Sequence, residues 1–220
     1  MVLLKSSTNH ARPRAGRPTR EQATRRHGQL LDQALDMFLD RGYAQTTIDA
    51  IAAAVNMTKR TIYARYDDKA ALFRAAVQYA IKRWMIAPQT LSTLECDTLE
   101  GTLLAVARMR IAHAGTPEGI RLGRVIAAES FRFPDIFRIA YEQGTMPVVT
   151  FLADVLRRHQ ENGTIRVKRP QMAAYAFLSL VVGGPARAIA SGRNYDPEEL
   201  EERILFSVEL FLNGVRARTV

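Results

Sequence analysis

Apolar residues recur along the 220-residue chain at i, i+3, i+4 and i+7 rather than in strict alternation, the pattern of helices that each bury one stripe. Leu30, Leu31, Ala34, Leu35, Phe38 and Leu39 predict a helix over 25–40, which Gly42 stops. A short helix over 47–54 then buries Ile48, Ile51 and Ala52. Thr46 stands in its N-cap place, with Asp49 three residues on in the capping-box position. After the turn residues Asn56 and Met57, Thr58 caps a third helix through Arg65. Asp68 caps a fourth over 68–87, striped by Leu72, Phe73, Ala76, Val77, Ala80, Ile81 and Trp84 and stopped by Pro88.

The pattern continues with helices over 99–114, 117–131, 135–143, 147–161, 170–190 and 197–213. Proline opens several of them (Pro117, Pro134, Pro147, Pro170), and Gly144, Asn162-Gly163 and Ser191-Gly192 read as breaks. The last helix begins Asp196-Pro197-Glu198-Glu199, acidic residues at the positive end of the helix dipole. The reading is all-α throughout.

Composition narrows the class. A hydrophobic share of 47% suffices for a packed core. The longest apolar run, 173–184, is interrupted by Gly-Gly-Pro before the roughly 20 residues a bilayer requires, so no membrane span is expected. The N-terminus lacks the sustained apolar stretch of a secretory signal. Cys96 is the only cysteine, which leaves no intrachain disulfide and no multi-cysteine metal site and suits a reducing cytoplasm. His10, His27, His113 and His159 show no paired-ligand spacing, Ser130 lacks a G-x-S-x-G frame, and no glycine-rich phosphate loop follows a strand. Neither an enzyme nor a metal or cofactor site is expected.

Charge adds a direction. Of the net +9, residues 1–83 contribute 15 Lys and Arg against 7 Asp and Glu, and the remainder 16 against 15. Residues 1–24 read as a flexible basic arm, rich in Pro, Gly, Ser and Thr. Its RAGRP segment (14–18), containing Arg17, resembles imperfectly the Arg-Gly-Arg-Pro core of minor-groove hooks. Two short helices joined by a tight turn, behind a longer helix and a cationic arm, form a helix-turn-helix pattern over 25–70. In such a pair the second helix enters the major groove. Here it offers Thr58, Lys59, Arg60, Thr61, Tyr63 and Ala64 outward and Ile62 inward. Arginine can bind guanine O6 and N7 together, and hydroxyls such as Thr47 and Thr58 can donate to phosphate. Lys69, at the start of the fourth helix, is a further candidate phosphate contact. Each of these could alone be a solvated surface residue; their joint occurrence points to double-stranded DNA.

The same stretch, GYAQTTIDAIAAAVNMTKRTIYARYDDKAALF (42–73), resembles the N-terminal domain of the TetR family of regulators. Gly42, Tyr43, Thr46, Thr47, Ile48, Ile51, Ala52, Val55, Lys59, Thr61, Ile62, Tyr63, Tyr66, Lys69, Leu72 and Phe73 carry the likeness. The resemblance implies DNA contacts at Thr47, Thr58, Lys59, Thr61, Tyr63 and Lys69, and places Tyr66 between the third and fourth helices. Arg60 stands where the family often has Gly, and Ala64 where it often has His, so operator choice should differ there. GRVIAAESFRFPDIFRIAYEQG (123–144) resembles an effector-domain segment of AcrR-like and AefR-like members.

By that resemblance residues 71–220 form a helical effector-binding and dimerisation domain. The helices near 170–190 and 197–213 would pair with a second copy, the alternative being that they simply form the monomer core. Candidate ligand contacts are Trp84, Met109, Phe131, Phe137, Tyr141, Phe151 and Tyr175, with Met85 and Met146 beside them; all could instead be ordinary core. Arg108, Arg110, His113 and Glu129 are polar anchors only if they point inward. The expected function is a homodimeric, cytoplasmic repressor that binds a palindromic operator and is released by a small hydrophobic effector. The alternative is an architectural DNA-binding protein with no ligand switch.

Overall fold

The computed structural model describes residues 19–216, which form helices and turns; Arg17 and the rest of 1–18 lie outside the described residues. The first helix, α1 (Arg20–Gln45), starts five residues earlier than the apolar stripe predicts. Thr19 supplies the reason. Its Oγ1 accepts from the Gln22 amide at 3.2 Å while the Thr19 amide donates to Gln22 Oε1 at 3.0 Å, a capping box that extends the helix beyond its buried face. Gly42 interrupts α1 as expected, at φ 77° and ψ 161°, a backbone region essentially restricted to glycine.

Next come α2 (Ile48–Ala54), α3 (Lys59–Tyr63) and α4 (Lys69–Trp84). The cap of α2 is Thr47, whose hydroxyl accepts from the Ala50 amide at 3.1 Å. Thr46, placed there by its spacing, is instead fully buried and donates from Oγ1 towards the Met37 and Gly42 carbonyls, each at 2.9 Å. The carbonyls freed where Gly42 breaks α1 need donors. Thr46 shares its one hydroxyl hydrogen between two carbonyls near that break.

Helix α4 ends at Trp84, and a short α5 (Pro88–Ser92) leads to α6 (Leu99–Ala114) and α7 (Pro117–Glu129). Then α8 (Pro134–Ala140) runs through a π-helical turn (Tyr141–Thr145) into α9 (Met146–Glu161). After α10 (Pro170–Leu178) a second π turn (Ser179–Gly183) joins α11 (Gly184–Ala190), and α12 (Pro197–Val215) closes the fold. Gly144 therefore does not break the chain as its composition predicts, whereas the helix expected over 170–190 does run through Gly-Gly-Pro, with a π turn inside it. In both places a proline, Pro147 or Pro185, follows as the second residue of the next α segment. Proline lacks an amide hydrogen and collides with the carbonyl four residues back, and a wider turn relieves both problems without ending the helix.

Two cores result. One joins α1–α4 around Phe38, Ile51, Ile62, Leu72, Phe73 and Val77, and it also takes in Leu122, Val125, Phe133 and Ile136 from α7 and α8. The other lies among α6 and α9–α12 around Leu103, Val106, Leu152, Leu156, Phe177 and Val208. Phe133 sits in the first core against Tyr43 and Phe73, ring centroids 5.0 and 4.9 Å away. α8 starts from that contact and ends at the first π turn. The continuous segment Pro170–Ala190 has the length and apolarity of a membrane-crossing helix, with a mean hydropathy of 1.4. One face packs into the second core through Ala174, Phe177 and Val181, and the other exposes Met172, Tyr175 and Leu180.

Candidate nucleic-acid interface and ligand cleft

In α3 only Ile62 is buried; Lys59, Arg60, Thr61 and Tyr63 face outward, with Thr58 before them and Ala64 after them also exposed. Thr58 Oγ1 accepts from the Thr61 amide at 3.1 Å and lies 2.8 Å from Thr61 Oγ1, so the two hydroxyls form one polar unit at the start of the helix. The turn before them passes through Asn56 at φ 50°, a conformation asparagine tolerates better than most residues. Thr47 is exposed beside this surface, its oxygen accepting from its own helix and its hydroxyl hydrogen free to donate.

Lys59 donates to Asp49 Oδ2 on α2 at 2.9 Å and lies 6.0 Å from the Tyr63 ring centroid. The hydrogen bond and charge of Asp49 hold the Lys59 ammonium above its ordinary range. This exposed pair fixes α3 against α2 and presents both side chains at the same edge. Behind it, Tyr66 Oη and His27 Nε2 are 2.6 Å apart, tying the segment after α3 back to α1. Burial, with the Arg65 charge adding to it, pulls the His27 imidazole below its ordinary range.

Lys69 departs from the sequence expectation. Its ammonium donates to the carbonyls of Tyr43 (2.8 Å), Thr46 (2.9 Å) and Ala44 (3.2 Å) and sits over the Tyr43 ring at 4.5 Å. An ammonium has three protons, and all three are used. Lys69 thus completes what Thr46 begins, closing the broken end of α1 against α4. In this arrangement its ammonium has no proton left over for a phosphate.

The ligand candidates separate into two groups. Trp84, Phe137, Tyr141 and Tyr175 line one cleft of about 310 Å³, together with Arg110, Thr145, Leu178, Ser179 and Val182. Met109 and Phe151 are packed against the second core instead, as is Met146; Phe131 is fully exposed near Gly42, and Met85 is exposed after α4. Their stripes point elsewhere because each lies on a face of its helix that meets another helix or solvent. The cleft is bounded by both π turns, a feature no local periodicity signals.

Among the polar anchors, Arg108 is on the surface, paired with Glu201 on α12. Glu129 is half-buried against a separate cleft near Gly42, away from Trp84. Arg110 and His113 turn inward. His113 Nε2 lies 2.7 Å from the Trp84 carbonyl, and its ring stacks on the indole with centroids 4.3 Å apart. The Arg110 guanidinium sits 5.7 Å from the same indole, with Nη1 at 3.5 Å from the Gly144 carbonyl. Neither Arg110 Nε nor Trp84 Nε1 has an acceptor, although both atoms are buried. Burial pulls the guanidinium below its ordinary range. A larger cleft of about 530 Å³ is lined by Asp32, Arg83, Trp84, His113, Glu118 and Arg121; there Arg83 pairs with Asp32 at 2.8 Å, and Arg121 reaches out to Asp36.

Residues 30–76 match the family model for bacterial regulatory proteins of the tetR family, and residues 101–214 match that for the C-terminal domain of AefR-like transcriptional repressors. The chain is 26% identical over 193 residues to YvkB, an HTH-type transcriptional regulator of Bacillus subtilis, covering 86% of this chain and 96% of that relative. It is also 26% identical over 191 residues to the HTH-type transcriptional repressor Rv1474c of Mycobacterium tuberculosis, covering 87% and 93%. Among solved structures it resembles a TetR-family transcriptional regulator from Mesorhizobium loti (TM-score 0.72, 25% identity, 91% and 100% coverage). It resembles likewise the flavonoid-responsive regulator FrrA (TM-score 0.69, 30% identity, 89% and 100% coverage).

Proposed function

The chain belongs to the TetR family of bacterial regulatory proteins, DNA-binding transcriptional regulators rather than enzymes, and on that premise we propose that it is a homodimeric repressor released from a palindromic operator by a small ligand. The DNA head is residues 25–70 with its basic arm, and the remaining helices bind the ligand and the second copy. The observation that carries the DNA reading is the face of α3, where every residue except Ile62 is outward and polar, aromatic or cationic. Arg60, Tyr63 and Ala64 meet base edges; Thr47, Thr58, Thr61 and Lys59 meet the phosphates that flank them, while Lys69 holds the surface in shape. Relatives named as repressors support the sign of regulation.

Dimerisation is supported by an apolar stripe that the monomer leaves exposed: Met172, Tyr175 and Leu180 on the α10 side and Leu205, Phe206 and Leu210 on α12. Two such faces related by a two-fold axis bury each other and set two recognition helices about 34–36 Å apart, the repeat of the major groove. Ligand control is supported by the cleft beside Trp84, since Trp84 terminates α4 and the π turn terminates α8. Both helices run from that cleft into the core of the DNA head. Occupancy that favours one arrangement of these struts shifts the population between DNA-competent and released states.

The deciding experiment measures dimer mass by sedimentation and compares binding to the selected operator and to random DNA across salt concentrations. A dimer with a large operator preference at every salt concentration supports the proposal. A monomer, or salt-dependent binding without sequence preference, would favour the architectural alternative.

A further inference from the structure

An isolated guanidinium in a low-dielectric site is costly unless an anion or full hydrogen bonding compensates it. Arg110 has neither. Its neighbours are the Trp84 ring and one long contact to the Gly144 carbonyl, and its Nε hydrogen has no acceptor. Beside it a second buried donor, the Trp84 indole N–H, is also unmet. Arg110 and Trp84 line the same apolar cleft, whose other walls are Ile126, Phe137, Tyr141, Tyr175 and Val182. The two π turns form its rim through Tyr141, Thr145, Ser179 and Gly183. Such turns are rare and occur frequently at functional sites. At the surface, Arg83, Arg108 and Arg121 each have a carboxylate partner, and Arg110 has none. The buried one is left open.

We propose that the effector is an amphipathic anion, a carboxylate on a compact apolar body, whose charged end is bound by Arg110 and the Trp84 N–H and whose body fills the cleft. This rests on the reading of the protein as a ligand-released regulator and specifies the ligand's chemical class. A cleft of about 310 Å³ lies at the small end of the ~300–1,000 Å³ range of ligand pockets, which limits the body to a short chain or one or two rings. The anion would touch α6 through Arg110 and the end of α4 through Trp84, so binding bears directly on the helix that enters the DNA head.

The test uses the full-length protein and three probes, decanoate, 4-phenylbutyrate and cyclohexanebutyrate, each beside its uncharged primary amide. Binding is followed by emission of Trp84, the only tryptophan, and by calorimetry. At least one carboxylate should bind about tenfold or more tightly than its amide, the ratio expected for a hydrogen-bonded buried charge. Arg110→Gln should remove that preference while leaving the ligand-free melting temperature equal or higher, because it deletes an uncompensated charge. Arg110→Lys should retain part of the preference. Equal binding of every acid and its amide, a preference that survives Arg110→Gln, or a ligand-free Arg110→Gln protein that melts lower would overturn the proposal, the last by showing that the guanidinium holds the fold together. Operator release, read separately by fluorescence anisotropy, distinguishes the two levels. Carboxylate binding that leaves operator affinity unchanged keeps the anion site and contradicts the switch, whereas equal release by acid and amide keeps the switch and contradicts the anion site.

Discussion

Arg60 and Lys69 are both cations of the helix-turn-helix segment, and they stand in opposite surroundings. Arg60 is exposed on α3, whereas Lys69 spends three protons on carbonyls at the end of α1. Arg60→Ala should therefore lower operator affinity by roughly 1–3 kcal/mol and relax preference at one base pair per half-site, measured with a set of singly substituted operators. Uniform weakening on all DNA would reduce Arg60 to a phosphate contact. Lys69→Met strips donors from two partly buried carbonyls and one exposed one and should destabilise the protein by roughly 1–3 kcal/mol in urea unfolding. Residual DNA binding should keep its salt slope, while a fall of about one phosphate contact in that slope would restore Lys69 to the DNA. The outward face of α3 was legible in the sequence because a single inward residue, Ile62, fixes the rotation of so short a helix. The tasks of Thr46 and Lys69 were not, because their partners are backbone carbonyls, which carry no mark in a sequence, and those of Lys69 lie more than twenty residues away.

At the scale of elements, α8 is a short strut with one end in each part of the molecule. Phe133 at its start is buried among Tyr43 and Phe73, and the π turn after it borders the cleft. Phe133→Ala should cost about 3–5 kcal/mol in urea unfolding, the range for deleting a buried phenyl ring. A loss below about 1 kcal/mol would mean that α8 does not brace the head. Most helices were legible from their 3.6-residue stripes. What local rules misread was the turn at Gly144: glycine shortly before proline ordinarily ends a helix, but here Gly144 is buried, with Trp84 Cζ3 3.7 Å from where its Cβ would stand, and the chain continues through a π turn. The early start of α1 is the converse case, a capping box that was in plain view but lay outside the apolar stripe.

For the whole molecule, the account requires two copies. Phe206 is 65% exposed in the middle of the apolar stripe on α12, so Phe206→Glu should shift sedimentation from dimer to monomer and weaken operator binding with it. A dimer unchanged by that substitution would move the interface elsewhere. The family and its DNA head were readable from one stretch, 42–73, because DNA recognition concentrates its requirements in a few adjacent turns. The ligand cleft was legible only in part: Trp84, Phe137, Tyr141 and Tyr175 were candidates, but the cleft gathers residues from α4, α6, α7, α8, α10 and α11, and an arginine that looks solvated in sequence proves inward only once those helices are assembled. Two copies that bind DNA together should enrich, from a random double-stranded pool, one inverted repeat whose half-site centres lie about one helical turn, 10–10.5 base pairs, apart or a multiple of it. A selected pool with no common sequence, or with a single unrepeated site, would rule out a two-fold reader of DNA.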